Sequence, residues 1–329
     1  MRRPARPNET LPPATLPRRL RRPRLVIAGC GDVGLRLIRQ LAPRLGSRAR
    51  LIGLARGTEA LAAIRAAGGT PIAFDLDERR PRRRLGSIAS GWIHLAPTPA
   101  EGRRETRLRR VLAQMNRRRR LPCGQPVASA APPRIVYAST TGVYGDSGGA
   151  WIDETRTPTP ASDRSRRRLD AERCLRSAVR QGIQRAAVLR VPGIYAADRL
   201  PTGRLQRGLP ALRDEDDGYS NHIHAEDLAR LAWIALHRAS SGRVYNAVDA
   251  TELKMGDWFD LVADTTGLPR PQRLSRADAK ALVSPMLWSF MSESRRIRAH
   301  RIGRELRARL RYPDVLDGLL EVPAPSVST

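Results

Sequence analysis

Along most of this chain, short uninterrupted apolar runs alternate with stretches whose apolar residues recur at helical spacing. Leu25-Val26-Ile27-Ala28 is such a run, closed by glycine, and Val33, Leu35, Leu37, Ile38 and Leu41 follow at the steps of a helix that Pro43 should stop. Residues 50–54 read as a second strand, 58–67 as an alanine-rich helix and 71–74 as a third strand. Two more strands are expected over 92–95 and 135–138, separated by a helix and a loop that holds Arg117 to Arg120 and Pro122-Cys123-Gly124. A helix from about 164 to 181 precedes a strand at 186–189, and another from 226 to 239 precedes one at 243–246. Strands fed by helices in this order imply a parallel sheet covered on both faces, so the predicted class is α/β, a Rossmann-type doubly wound sheet. Weaker strand signal over 195–220 and 250–319 marks a small discontinuous C-terminal lobe on the substrate side. Residues 1–23, rich in Pro and Arg without periodicity, are expected to be a disordered arm, and 320–329 a flexible tail.

Composition narrows this picture in two ways. Aromatic residues make up only 4% of the chain, so the core must be built from Leu, Ile, Val and Ala, which suits helices on a parallel sheet. The formal charge of +28 suggests an anionic polymer as partner, but all but two of the 60 basic residues are arginines scattered through helices and tails. That ratio fits the coding bias of a GC-rich genome, and no zinc-finger, RRM or basic-zipper pattern accompanies the charge, which argues against nucleic acid as the main partner. Cys30, Cys123 and Cys174 are odd in number and widely spaced, so neither a disulfide framework nor a metal site is expected. With no apolar run long enough for a signal peptide or a membrane span, a cytoplasmic protein is expected.

The chemistry begins at Gly29-Cys30-Gly31-Asp32-Val33-Gly34, a GxGxxG that follows a strand and opens a helix. Gly29 would allow the tight turn, Gly31 the approach of a pyrophosphate, and Gly34 the close packing of helix on strand, with the first-turn amides of Asp32 and Val33 facing the phosphates. This predicts that residues 24–249 bind a nicotinamide dinucleotide. At the end of the second strand, where an NAD site usually carries a carboxylate for the ribose hydroxyls, the chain has Leu54-Ala55-Arg56-Gly57. The Arg56 guanidinium suits a 2′-phosphate, so NADP(H) is favoured over NAD(H).

Six segments in order resemble the landmarks of the extended short-chain dehydrogenases, the NAD-dependent epimerase/dehydratase superfamily. They are Gly29 to Gly34, Phe74-Asp75-Leu76, His94-Leu95-Ala96, Ala138 to Gly145, Leu189 to Tyr195 and Ile223 to Leu228. Gly267-Leu268-Pro269, Ser292 to Arg296 and Leu310 to Pro313 look like its atypical YeeZ-like branch. The resemblance implies that Asp75 and Leu76 sit beside adenine, that Leu95, Ala96 and Pro97 line the cofactor groove, and that Pro192 lies near the nicotinamide. It implies that Thr140 holds a substrate oxygen. Tyr144, in a turn that is usually architectural, is the second catalytic candidate, while His224 and Asp227 belong to a segment that caps a helix.

One departure bears on mechanism. The family's Tyr-x-x-x-Lys pair would fall at Arg164 and Arg168. Arg168 could still grip a ribose or phosphate, but a guanidinium is no general base. Two functions remain open at this level: an oxidoreductase or epimerase-like enzyme with a rearranged acid/base acting on a small molecule, and a dinucleotide-binding sensor without hydride chemistry. Arg190, Arg199, Arg204 and Arg207 are expected near the pocket mouth, where they would favour an anionic ligand.

Overall fold

A computed structural model describes residues 22–78, 85, 89–117, 133–182 and 184–322. The expected arm, the Arg117–Arg120 and Pro122-Cys123-Gly124 loop and the tail fall largely outside these residues. Seven strands form one sheet: β1 (Arg24–Ala28), β2 (Arg50–Ala55), β3 (Thr70–Ala73), β4 (Gly91–His94), β5 (Arg134–Thr140), β6 (Arg185–Val191) and β7 (Arg243–Asn246). Their spatial order is β7-β6-β5-β4-β1-β2-β3, and every pairing is parallel. The chain reverses direction across the sheet between β4 and β1, which opens a crevice at their carboxyl ends.

Burial on both faces explains why the strands read as continuous apolar runs. Leu25 and Ile27 pack on one side with Leu37, Ile38 and Leu41 of helix α1 (Asp32–Leu45), whereas Val26 and Ala28 pack on the other. After α2 (Thr58–Ala66), helices α3 (Thr106–Arg117) and α4 (Asp163–Arg180) supply that second side through Leu108, Val111, Met115, Ala171 and Leu175. Helix α5 (Ala225–Arg238) completes the first side, its Leu228, Leu231 and Ala235 joining the α1 cluster. Each fully buried Leu or Ile contributes about 1.5–3 kcal/mol.

Pro43 does not stop α1, which runs through it to Leu45 and ends at Gly46, φ +45°. A proline so near the end removes a single late hydrogen bond, and the terminator is the glycine that adopts a positive φ.

A further core gathers Tyr195, Leu205, Ala211, Trp258, Phe259, Val262, Val315 and Leu319 beyond the carboxyl edge of the sheet. Ile302, Leu306 and Ala308, by contrast, pack with the α1 and α5 side of the main core. Helices α6 (Met255–Thr266), α7 (Arg276–Leu282) and α8 (Pro285–Met291) lie in this C-terminal part. Among the described residues no helix is long and apolar enough to cross a membrane.

Candidate functional site

The glycine turn has three distinct local geometries. Gly29 has φ +78°, and a Cβ there would lie 2.4 Å from both the Cα and the N of Ala96, so the turn is pressed against the loop after β4. Gly31 has φ −88°, and a Cβ there would meet no protein atom within 4 Å. At Gly34 a Cβ would touch Cys30 Sγ at 3.1 Å and Ile27 Cγ2 at 3.3 Å, which is the close helix-on-strand contact. The first bond of α1 runs from the Leu35 amide to the Gly31 carbonyl at 2.8 Å. The amides of Asp32, Val33 and Gly34 therefore precede the intrahelical ladder and face the open side of Gly31. Burial pushes the Cys30 thiol up to about 12, so the cysteine inside the motif is a packing residue.

The Asp32 carboxylate accepts from Arg36 at 2.8 Å and from Arg199 at 2.9 Å. Arg36 also pairs with Glu226, at 2.8 Å, and with Asp198, which ties α1 to the start of α5 and to the segment after β6. Arg199 thus fastens the C-terminal part to the glycine turn.

At the far end of the crevice Arg56 is exposed, with no ion pair among the described residues. Asp75 is also exposed, and its carboxylate accepts from the Asp77 amide at 2.9 Å. The Leu76 carbonyl accepts from Arg110 at 2.9 Å. Sequence reading missed a clamp here. Arg107 donates twice to the Asp77 carboxylate, at 2.9 and 2.5 Å, and to the carbonyls of Pro97 at 2.8 Å and Thr98 at 3.4 Å. It joins the loops after β3 and β4 across the groove, and its hydrogen bonds hold the Asp77 carboxyl below the usual carboxylate range. Leu95 and Ala96 line the same loop, with the Leu95 amide donating to Ala28 at 2.8 Å.

The other end is built by β5, α4 and β6. The Arg168 guanidinium is buried and donates to the carbonyls of Ala96, at 3.3 Å, and Ala138, at 2.7 Å, and to the Tyr137 hydroxyl at 3.0 Å. Its Nε is buried without a partner among the described residues. Burial pushes the Tyr137 phenol up to about 12, so this neighbour is no substitute for a catalytic phenol. Behind them, the fully buried His94 takes a hydrogen bond from Trp92 at 3.3 Å, and burial holds its pKa down to about 3.

Thr140 ends β5, and its hydroxyl oxygen accepts from the Gly142 amide at 3.2 Å. The neighbouring Ser139 hydroxyl donates to Glu172 at 2.6 Å, and Glu172 is paired bidentately with Arg190 at 3.2 and 2.7 Å. Pro192, half-buried, follows two residues beyond Arg190. A fully buried ion pair therefore locks together the ends of β5 and β6 and the face of α4.

Two expectations change here. Tyr144 is fully buried, donates to Asn246 at 2.7 Å and stacks under Arg190 at 4.6 Å, which makes it a core residue with no exposed phenol to offer a substrate. Of the four arginines expected at the mouth, Arg190 is consumed by Glu172, Arg199 by Asp32, and Arg204 is buried over Phe259 at 4.3 Å while donating to Pro210. Arg199 stays exposed although paired, and Arg207 is exposed with no ion pair among the described residues. The α4 cations that reach the loop after β4 are instead Arg167, through Thr98 and Gly102, and Arg168, through Ala96. His224 caps α5 and Asp227 accepts from the amides of Arg311 and Tyr312, as architectural residues do.

Comparison with known proteins places this geometry. Residues 25–248 match the model of the NAD dependent epimerase/dehydratase family. Protein YeeZ of Escherichia coli K12 is 27% identical over 184 residues, 56% of this chain and 60% of YeeZ, so the match spans less than two thirds of that relative. A functionally unknown conserved protein from Silicibacter pomeroyi has a solved structure that superposes with TM-score 0.74 at 31% identity, covering 90% of this chain and 96% of its own. The DesIV dTDP-glucose 4,6-dehydratase of Streptomyces venezuelae, solved with NAD bound, gives TM-score 0.68 at 18% identity over 90% and 94% of the two chains, a likeness of fold alone.

Proposed function

The chain belongs to the NAD-dependent epimerase/dehydratase family, and from that membership we propose that it is an NADP(H)-binding oxidoreductase or epimerase-like enzyme for a small-molecule substrate. The observation that carries the reading is the unfilled space beside Gly31, facing three first-turn amides, in a turn whose Gly29 admits no side chain. Space of that kind suits a pyrophosphate. Asp32, Val33 and Gly34 would hold the phosphates through backbone amides. Leu95, Ala96 and Pro97 would wall the groove, Asp75 and Leu76 would flank the adenine, and Pro192 would border the nicotinamide. Arg56, exposed and free of an ion pair among the described residues, would take the 2′-phosphate that distinguishes NADP.

The bound nicotinamide supplies two-electron hydride chemistry. Arg168 grips ribose or phosphate oxygens, and its anchoring on the Ala96 and Ala138 carbonyls fixes the direction of that grip. The Thr140 hydroxyl, with its oxygen already accepting from Gly142, has its proton available for a substrate oxygen. Proton exchange then falls to solvent or to the substrate, since among the described residues no carboxylate, imidazole or phenol hydrogen-bonds to Thr140. That same observation favours a second reading, a dinucleotide-binding sensor without turnover. Titration with NADPH and NADH tests the first reading: tighter NADPH binding, reversed or erased by Arg56→Asp, supports it. Equal affinities unchanged by the substitution remove Arg56 from the site. A carbonyl and alcohol turnover screen at saturating cofactor then separates enzyme from sensor.

A further inference from the structure

At the amino ends of the strands, opposite the crevice, lies a cavity of about 190 Å³. It opens between the starts of β5 and β6 and the last turn of α5. Alanine makes the space, since Ala187, Ala235 and Ala239 line it where larger side chains would fill the gap between helix and sheet. Two arginines complete the lining. Arg134 and Arg185 are register partners on adjacent parallel strands, so they leave the same face of the sheet from backbones about 4.8 Å apart. Neither forms an ion pair among the described residues, and no Asp or Glu lines the cavity. The turns entering β6 and β7, residues 181–184 and 239–242, carry no carboxylate either. Arg243, which starts β7, differs because Glu305 holds it at 2.5 Å.

Arg134 donates to the carbonyls of Leu236 at 3.4 Å and His237 at 2.8 Å, and so covers the negative end of α5, which amounts to about half a charge. Two full positive charges outweigh it. Arg185 makes no side-chain hydrogen bond or ion pair among the described residues, which leaves its N–H fork for a ligand. The Ser241 hydroxyl oxygen accepts from the Ala186 amide at 3.3 Å, so its proton is also free to be donated into the cavity it lines. We propose that this cavity is a second ligand site, for a small organic oxyanion whose apolar body fills the alanine-lined space while its carboxylate or phosphate lies between Arg134 and Arg185. The volume sets the size of that body, because a cavity of about 150 Å³ accepts benzene and this one is slightly larger. β5 and β6 reach the crevice at their other ends, where Thr140 pairs with Val191, so the site is separate from the dinucleotide groove and does not rest on the cofactor reading.

Calorimetric titration of the full chain with benzoate and with phenyl phosphate, at ionic strength held constant with chloride, tests the proposal. One saturable site is expected. Arg185→Gln should weaken it about tenfold or more, the loss of a charge-assisted contact, and Arg207→Gln should leave it unchanged. Ala239→Leu should abolish binding without altering charge, because the larger side chain occupies the cavity. Tighter binding of phenyl phosphate assigns the head group as a phosphate, and tighter binding of benzoate assigns it as a carboxylate. Absence of saturable binding by either overturns the proposal. So does an equal loss in Arg207→Gln, or full binding in a folded Ala239→Leu, since either would reduce the effect to diffuse surface charge. Displacement of the anion by NADPH would move the ligand to the groove and overturn it as well. Thermal unfolding of each variant checks that the fold survives, and Arg185→Gln, whose side chain holds nothing in place, decides the matter if Ala239→Leu does not fold.

Discussion

Placing a methyl group at each of two glycines only two positions apart should have opposite consequences. In Gly31→Ala the new Cβ enters space where no protein atom lies within 4 Å, and φ −88° is open to any residue. Folding stability should move by less than about 1 kcal/mol. The cofactor, however, must retreat from the first-turn amides, and losing one or two charge-assisted hydrogen bonds at about 1.5–3 kcal/mol each weakens NADPH by roughly tenfold to a thousandfold or more. In Gly29→Ala the residue must hold φ +78°, at a cost of about 1–2 kcal/mol, and its methyl would lie 2.4 Å from the Ala96 backbone, adding about 1–3 kcal/mol of overpacking. That variant should melt several degrees lower. Fluorescence titration with NADPH and thermal unfolding, run side by side, give both numbers. If Gly31→Ala binds within twofold of the parent, the open space beside Gly31 is not the phosphate seat and the proposed groove is wrong.

Glu172→Ala strands the buried Arg190 charge and should cost about 3–5 kcal/mol, whereas Glu172→Leu with Arg190→Met should recover most of it, as denaturant titration would show; equal loss in both would mean the pair is not the lock described. Arg168→Ala should weaken NADPH by about 1.5–3 kcal/mol with Thr140 still in place, and unchanged affinity would assign Arg168 to scaffolding alone. Burial raises the Asp249 carboxyl to about 8, so the folded chain keeps a proton that the unfolded chain releases near 3.8; the stability this confers is full below 3.8 and lost as pH rises through 8. Asp249→Asn should therefore raise Tm more at pH 8.5 than at pH 5, and a uniform effect would refute the linkage. His222 runs the other way: burial lowers it to about 4, so its contribution is present above 6.5 and lost as pH falls toward 4, a loss that His222→Gln should reduce in acid melts.

The sheet was readable because strands buried on both faces cannot hide polar residues, and the GxGxxG was readable because its context is local. Leu25 to Ala28, the turn and α1 all lie within about twenty residues. What escaped was tertiary. Glu172 finds Arg190 eighteen positions away, Arg107 finds Asp77 thirty positions away, and Arg36 collects carboxylates from positions 32, 198 and 226. In a chain holding 60 basic residues no single arginine stands out, so sequence could not tell a neutralised guanidinium from a bare one. The two- and three-residue ladders, such as Gly193–Tyr195 beside His222–His224, are too short to show a period. Pro43 misled because helix termination depends on where the last carbonyls find partners, and Gly46 solves that three residues later.

An arginine at position 164, which the family resemblance aligns with the phenol, would change what the site can do in a specific direction. A phenolate both orients a substrate oxygen and exchanges a proton with it. A guanidinium performs only the first task, because it stays protonated, but it performs it for an anion and does so with two parallel hydrogen bonds. Negative charge that develops on a substrate oxygen can be stabilised by the Thr140 hydroxyl, and preorganised donors of this kind account for much of the rate enhancement in many enzymes. The proton itself must come from elsewhere, so turnover here would be governed by solvent access to the Thr140 end of the groove and not by the titration of any group on α4. Phe290, itself 45% exposed, lies over the Arg164 guanidinium. Replacing Phe290 with alanine would remove that cation–π contact, worth about 0.5–1 kcal/mol at an exposed site, and free the guanidinium to reorient.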